Sequence, residues 1–389
     1  MPVLEVYLDN SATTKPCPGA RKRLLEAVDL LWGNPSSLHQ KGLEAQLLLE
    51  EARAFIAKCL SCRESELYFT SGGTESNNLA VFGAANAMKR KGNKIVVSSV
   101  EHPSVSRAFD KLESDGFTVV RLPVDRFGVV PVEEIENAVD ESTVLVSMMA
   151  VNNELGSVEP VEALSRIVKE KHSPALIHVD AVQAFGKLPL NVKKLGVDLM
   201  SVSAHKIHGT KGAGALFVKA SVRLAPHIFG GGQESNFRSG TENLPGIAGF
   251  GAAAEEGMKT MQADITHMAS LRDYIADKLA ADETLSQVHV NLPQSETRAP
   301  HILSIRLPKI KSETMLNYLS GRGIAVSSGS ACSAQSGRVS NALMRFGLSE
   351  NEADTTLRIS LCAENTAGEA DIFLDALRTG IGMLAKMKR

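Results

Sequence analysis

The feature that most constrains this chain is an alternation. From about residue 42 to 220, short β-rich runs and helical patterns take turns. The runs fall at 94–98, 118–122, 143–149, 175–179, 199–202 and 215–218, after an earlier one at 66–70. Segments 42–60, 75–91 and 160–171 show apolar residues at helical spacing. Strand–helix alternation of this kind predicts a mostly parallel sheet covered by helices. The runs are short and continuously apolar, as strands buried on both faces are. The expected fold class is therefore α/β.

After residue 218 the pattern changes. Segment 219–249 is rich in Gly, Ser and Asn and reads as a long functional loop. A long helical pattern follows at 247–281, then strand-like runs at 303–307, 325–327 and 357–360, and a terminal helix at 368–386. The expected plan is a large unit over 15–255. A smaller α+β unit would combine 1–14 with 256–389.

Composition narrows the class. The 389 residues are 43% hydrophobic and 22% charged, which excludes a disordered chain or a coiled-coil rod. With 42 Lys+Arg against 44 Asp+Glu, no charge excess points to nucleic acid or an acidic membrane. No apolar run reaches membrane-spanning length. The N-terminus lacks the basic and apolar regions of a signal peptide. Five cysteines are too few, and odd in number, for a disulfide framework. A cytoplasmic setting with free thiols is expected.

In open α/β sheets, ligands bind beyond the carboxyl ends of the strands. Here Glu101-His102, Asn152-Asn153-Glu154, Asp180 and Ser203–Lys206 stand at the ends of four of the runs. One polar strand end is ordinary; four suggest a shared site. Ser71-Gly72-Gly73-Thr74-Glu75 follows a strand and opens a helix, a phosphate-binding arrangement or simply a Thr N-cap on a tight turn. It lacks the Gly-Lys-Ser/Thr of a Walker A loop. Lys206, between His205 and His208, is a poor choice for packing. A desolvated lysine near other cations can form a Schiff base, and pyridoxal phosphate pairs such a lysine with a buried carboxylate. Asp180 is the candidate partner.

YLDNSATTKP, GNPSSLHQKG, FTSGGTESNN, VEHPSV, VNNELGSVEP, HVDAVQAFGKLP, SAHKIHGTKG, RSGTEN and SSGSAC occur in one order. Together they resemble the cysteine desulfurases of the NifS/IscS type, within the class V aminotransferase group of fold-type I pyridoxal-phosphate enzymes. The resemblance implies a large domain with a mostly parallel seven-stranded sheet. It implies pyridoxal 5'-phosphate as cofactor, L-cysteine as substrate and a homodimer with shared active sites.

By that resemblance, Lys206 carries the cofactor, Asp180 pairs with the ring nitrogen and Gln183 with the ring hydroxyl. His102 stacks on the ring. Gly73, Thr74, Ser203 and His205 cradle the phosphate, and Thr241 reaches the phosphate of the neighbouring subunit. Asn153 and Arg358 bind the substrate carboxylate, a task suited to the guanidinium fork. Cys332 is the nucleophile that takes the sulfur as a persulfide. It then passes it to an acceptor such as a cluster scaffold or thiolation enzyme. No metal is expected.

Several residues stand apart. Cys59 and Cys62 form a CxxC, but no second pair lies near and the motif ends a helix, against a zinc or redox reading. Cys17 lies between two prolines, and His39 sits in a matching motif without an evident chemical role. Cys362 stands where the family usually has Gly, so it could alter the carboxylate pocket or merely fill space. The stretch after Cys332 lacks the acidic-Pro pair common in relatives, which bears on partner docking.

Overall fold

The computed structural model describes residues 5–292, 298–328 and 340–384. Cys332 lies outside the described residues.

Seven strands form the main sheet: β2 (Leu67–Thr70), β3 (Lys94–Ser98), β4 (Thr118–Leu122), β5 (Thr143–Met149), β6 (Leu176–Asp180), β7 (Leu199–Ser203) and β8 (Gly214–Val218). Their order is β2-β8-β7-β6-β5-β3-β4. Only β8 runs antiparallel to its neighbours β2 and β7; the other pairings are parallel. The expected α/β class with a mostly parallel seven-stranded sheet is what the chain adopts. Both faces are covered, and β3 shows how. Val96 faces one apolar core with Val146, Leu164 and Ile167, while Ile95 and Val97 face another with Leu79, Val105 and Phe109. Period-two alternation sends neighbours to opposite faces, so a strand buried on both sides must be apolar throughout. Each such buried side chain stabilises the fold by roughly 1.5–3 kcal/mol.

The helices around the sheet are α1 (Pro18–Asp29), α2 (Gln40–Leu60), α3 (Gly73–Met88), α4 (Pro103–Ser114), α5 (Val132–Ala138), α6 (Val161–Glu170) and α7 (Val192–Leu195). Helices α1 and α4 are not among those expected from the sequence, although both carry a start signal and α4 places Val105, Ala108, Phe109 and Leu112 at helical spacing. Each has Pro at its first position after a capping side chain, Cys17 and His102 respectively. Helix α2 stops because Ser61 turns left-handed at φ 57°.

A second core lies at the other end of the chain. Here β10 (Ile302–Arg306) is flanked by β9 (His289–Val290) and β12 (Thr356–Ser360), and β1 (Val6–Tyr7) pairs with β11 (Ile324–Ala325). Their apolar residues pack with α9 (Ser312–Ser320) and the terminal helix Ala367–Leu384. The helix α8 (Leu244–Ala281) joins the two cores. Ile247 and Phe250 belong to the first core, Leu271 and Ile275 to the second.

The stretch read as a loop over 219–249 ends earlier than expected, because α8 starts at Leu244 with Asn243 as its cap. Within that stretch Glu234, Ser235 and Asn236 are all left-handed, at φ 46°, 57° and 63°. Glu234 holds the turn in place: its carboxylate accepts from both Arg53 terminal nitrogens, at 3.0 and 2.7 Å, and from the Phe69 N–H at 2.8 Å.

Candidate active site

The four polar strand ends meet. Strands β7, β6, β5 and β3 are consecutive in the sheet, so the residues just beyond their carboxyl ends converge. A cavity of about 240 Å³ opens there. Its lining includes Gly73 and Thr74, His102, Asn153, Asp180 and Gln183, Ser203, His205 and Lys206, and Arg358 from β12. Ten of the predicted site residues thus line one space.

Asp180, at the end of β6, is 5% exposed. Its Oδ1 accepts from the Val182 N–H at 2.9 Å and its Oδ2 from Asn77 Nδ2 at 2.8 Å. Lys206 Nζ donates to the carbonyls of Ser11 and Ala12, at 2.5 and 2.8 Å. Gln183 Nε2 donates to the same Ser11 carbonyl at 2.9 Å. His102 caps α4: its Nδ1 accepts from the Ser104 N–H at 3.1 Å, so the proton of the neutral ring sits on Nε2. Burial holds the His102 pKa down, with Asp180 raising it and Lys206 lowering it. His205 is pushed down to about 4, by burial first and then by Lys206, Lys211 and Lys187. Both rings are therefore neutral at pH 7. Behind His102, Glu101 is fully buried, and burial with the Asp180 charge raises its pKa well above the carboxylate range. Its carboxyl accepts from the Met149 N–H at 2.5 Å.

Gly73 opens α3, and the cap is Gly72, not Thr74, which lies inside the first turn. The Thr N-cap reading is corrected accordingly. Among the described residues no side chain caps this end, so its backbone N–H groups face the cavity region with the helix dipole behind them. A Cβ at Gly73 would come within 2.6 Å of Val182 Cγ2. Ser203 Oγ is buried beside this helix start and has no hydrogen-bond partner among the described residues.

Arg358 is not at the surface. It is 2% exposed and donates to Asn153 O and to Asp9 Oδ1, both at 2.8 Å. Its Nε has no hydrogen-bond partner among the described residues. Asn153 therefore meets the arginine through its backbone carbonyl. Thr241 is exposed and stands outside the cavity of its own chain. The segment that contains Cys332 leaves and re-enters the described structure beside this cavity. Ser327 exchanges backbone hydrogen bonds with Arg358, and Ser340 hydrogen-bonds Glu154 next to Asn153.

Comparison with known proteins decides the family. The family model for aminotransferase class-V matches residues 6–373. This chain belongs to that family. Within it, the chain is 41% identical to a cysteine desulfurase IscS of Dictyoglomus turgidum, over 96% of this chain and 93% of that one. It is 40% identical to cysteine desulfurase IscS 1 of Archaeoglobus fulgidus, over 98% of each. A solved NifS-like protein superposes with a TM-score of 0.90 at 39% identity, over 98% of this chain and all of that one. The chain is thus a class-V aminotransferase of the NifS/IscS, cysteine desulfurase, type.

Three residues of this class-V site went unassigned from sequence. Asn77 lies one turn after Gly73 on α3 and is 1% exposed. It ties Asp180 to Ser104 through the two protons of Nδ2, each bond 2.8 Å. A polar residue one turn into the helix, on the buried face, was the available signal. Ser11 and Ala12 lie inside YLDNSATTKP, and they act through carbonyl oxygens, which sequence does not display.

The remaining cysteines differ from one another. Burial raises Cys59 to about 11 and Cys62 to about 12, which leaves both as unreactive thiols. Cys17 caps α1 through its sulfur, and His39 caps α2 by accepting from the Gly42 N–H at 3.3 Å. Cys362 is buried and lines a different cavity from the one that contains Arg358. Among the described residues, no group of three or more His, Cys, Asp or Glu could hold a metal. No described helix is long and apolar enough to cross a membrane.

Proposed function

We propose that this class-V aminotransferase chain converts L-cysteine to L-alanine with pyridoxal 5'-phosphate, and moves the sulfur onto Cys332. The observation that carries the reading is the convergence of Lys206, Asp180, Ser203 and Arg358 on one cavity. The residues fit the cofactor. The unpartnered Ser203 Oγ and the uncapped start of α3 form a cradle for a phosphate, which a Cβ at Gly73 would disturb. Thr74 and His205 line the same end. Asp180, held by Asn77, would accept from the ring N–H, His102 would pack on the ring and Gln183 would serve its hydroxyl. When bound, the cofactor supplies an electron sink that lets bonds at the substrate Cα and Cβ be broken.

The chain's own residues do the rest. Arg358 and Asn153 orient the substrate carboxylate. Lys206 Nζ takes the Cα proton and returns protons to the carbon skeleton. The Cys332 thiolate attacks the substrate sulfur, so an S–S bond forms as the Cβ–S bond breaks. Cβ takes a proton, alanine leaves, and Cys332 holds the outer sulfur. An acceptor thiolate attacks that sulfur and frees the Cys332 thiolate. Cys332 stands five positions after Ser327, which is fixed against Arg358. An extended chain covers at most about 18 Å over that length, enough to reach the cavity.

The finer readings have their own supports. Leu25, Val28, Trp32, Leu43 and Leu47 are exposed along α1, α2 and the turn between them. That apolar stretch favours a homodimer, in which Thr241 serves the partner's phosphate. A division into 15–255 and the combination of 1–14 with 256–389 follows the two cores, although α8 runs through the boundary. The acceptor is a cluster scaffold or thiolation enzyme in a cytoplasmic setting.

Product analysis tests the reaction. L-cysteine should yield alanine and a protein persulfide, and Cys332→Ser should yield neither. Alanine at the parent rate from Cys332→Ser overturns the persulfide route; pyruvate and ammonia as main products indicate a lyase. Lys206→Ala should lose the bound-cofactor absorbance, and its retention overturns the lysine assignment.

A further inference from the structure

We propose that His301 is a positioning residue for the cofactor: it holds the Gln183 amide so that an N–H, and not the amide oxygen, faces the ring hydroxyl. This role rests on the pairing of Gln183 with that hydroxyl. His301 stands where the two cores meet, since Ala299 and Ile302 belong to the first core and Leu303 to the second. The backbone is fixed on both sides of the ring. The His301 carbonyl accepts from the Leu361 N–H at 2.8 Å, and the Ala299 N–H donates to the Gly156 carbonyl at 2.7 Å. His301 is fully buried, and its Nε2 lies 3.4 Å from Gln183 Oε1, a long hydrogen bond.

The direction of this contact follows from Ser11. A backbone carbonyl only accepts, so the Gln183 atom 2.9 Å from Ser11 O is the amide nitrogen. The amide oxygen then faces His301, and it requires a proton on the imidazole Nε2. Burial first, then the charges of Lys187, Arg358, Arg272 and Lys206, hold the His301 pKa well below the usual histidine range. The neutral ring has one proton, and the contact with Gln183 assigns it to Nε2. Nδ1 has no hydrogen-bond partner among the described residues, so none of them draws the proton to the other nitrogen. Ser11 takes one of the two amide protons of Gln183. The other has no acceptor among the described residues, and Gln183 lines the cavity. Without His301, Oε1 would be a buried acceptor lacking its donor, a cost that turning the amide relieves. An N–H beside the ring oxygen favours its anionic form, and an amide oxygen there disfavours it.

Spectral titration of the cofactor-loaded protein against pH tests this, through the pH at which the bound-cofactor absorbance changes. Gln183→Leu should raise that pH by about one unit and His301→Leu by about half a unit, because each costs the ring oxygen a donor. The double variant should shift no further than Gln183→Leu alone. His301→Gln places an N–H at the reach of the imidazole Nε2 and should restore the parent value. An unmoved transition in His301→Leu, or shifts that add in the double variant, overturns the positioning role and leaves the Gln183 pairing standing. A His301→Gln value that stays with His301→Leu assigns the effect to packing and overturns the role too. An unmoved transition in Gln183→Leu overturns the hydroxyl pairing and the role of His301 with it. Should His301→Leu fail to fold, His301→Phe, a flat ring without an N–H, takes its place in the same comparison.

Discussion

Replacing Asp9 with Asn isolates the charge on which Arg358 depends. The guanidinium is 2% exposed and, among the described residues, has one carboxylate partner, Asp9 Oδ1 at 2.8 Å, plus the Asn153 carbonyl. Removing one partner of a buried pair costs about 3–5 kcal/mol, because the other charge is left uncompensated. Asn retains a hydrogen-bond acceptor and Asp9 is partly exposed, so about 3 kcal/mol is the expected loss. Unfolding entropy of about 2.1 cal/mol/K per residue gives about 0.8 kcal/mol/K for a chain of 389 residues. The melting midpoint should then fall by about 4 °C, measured by scanning calorimetry on the cofactor-loaded protein. A second reading separates this from general damage. In Asp9→Asn the guanidinium lacks its counter-charge, so a ligand carboxylate replaces it. The increment in midpoint produced by saturating L-alanine should be larger in the variant than in the parent. A midpoint within 1 °C of the parent would falsify the dependence of Arg358 on Asp9. An equal alanine increment would show that Arg358 does not face the substrate carboxylate.

Other positions give independent tests. Asn77→Ala removes the donor that fixes Asp180 and should weaken cofactor binding about tenfold, equivalent to about 1.4 kcal/mol, by fluorescence titration; unchanged affinity refutes its positioning role. Glu234→Ala leaves the Phe69 N–H without its acceptor and Arg53 without its carboxylate, and should cost about 3 kcal/mol in urea unfolding. Glu234→Gln should cost about half as much; no loss in either sinks the account of the left-handed turn. Glu159, raised to about 8 by burial, holds a proton in the fold that the unfolded chain releases near pH 4.5. It therefore makes stability fall as pH rises from about 4.5 to 8, by up to about 1.4 kcal/mol per unit. Glu159→Gln should flatten that slope in urea unfolding followed against pH, and an unchanged slope rules the assignment out.

The sheet was legible because strands buried on both faces leave little choice of side chain. Lys94–Ser98 and Thr143–Met149 read directly as apolar runs and fold as β3 and β5. The site was legible where side chains carry the chemistry: Asp180, Lys206 and Arg358 lie where strand ends and motif order put them. It was not legible where backbone does the work, as with the Ser11 and Ala12 carbonyls, or where a residue acts through another, as Asn77 does. Helices α1 and α4 were legible too: Val105, Ala108, Phe109 and Leu112 space an apolar face along α4, and each helix has a capping residue followed by proline. Position 362 shows a further limit. Its departure from the family pattern suggested the carboxylate pocket, but neighbours in sequence open onto different cavities here, so Cys362 and Arg358 part company within four residues.

The first strand of the chain also sets a schedule. Asn10 Nδ2 donates to the Ser360 carbonyl, and β1 pairs with β11. The carbonyls that receive Lys206 belong to the segment these contacts hold in place. Ribosomes add about 5–20 residues per second, so residues made first wait tens of seconds for partners made almost last. The main sheet can assemble while synthesis continues. The contacts of this segment with Ser360 and β11 form only when the chain is nearly finished, so a nascent chain stalled before β12 would have the lysine and the aspartate yet lack the full anchorage of the carbonyls that hold the lysine.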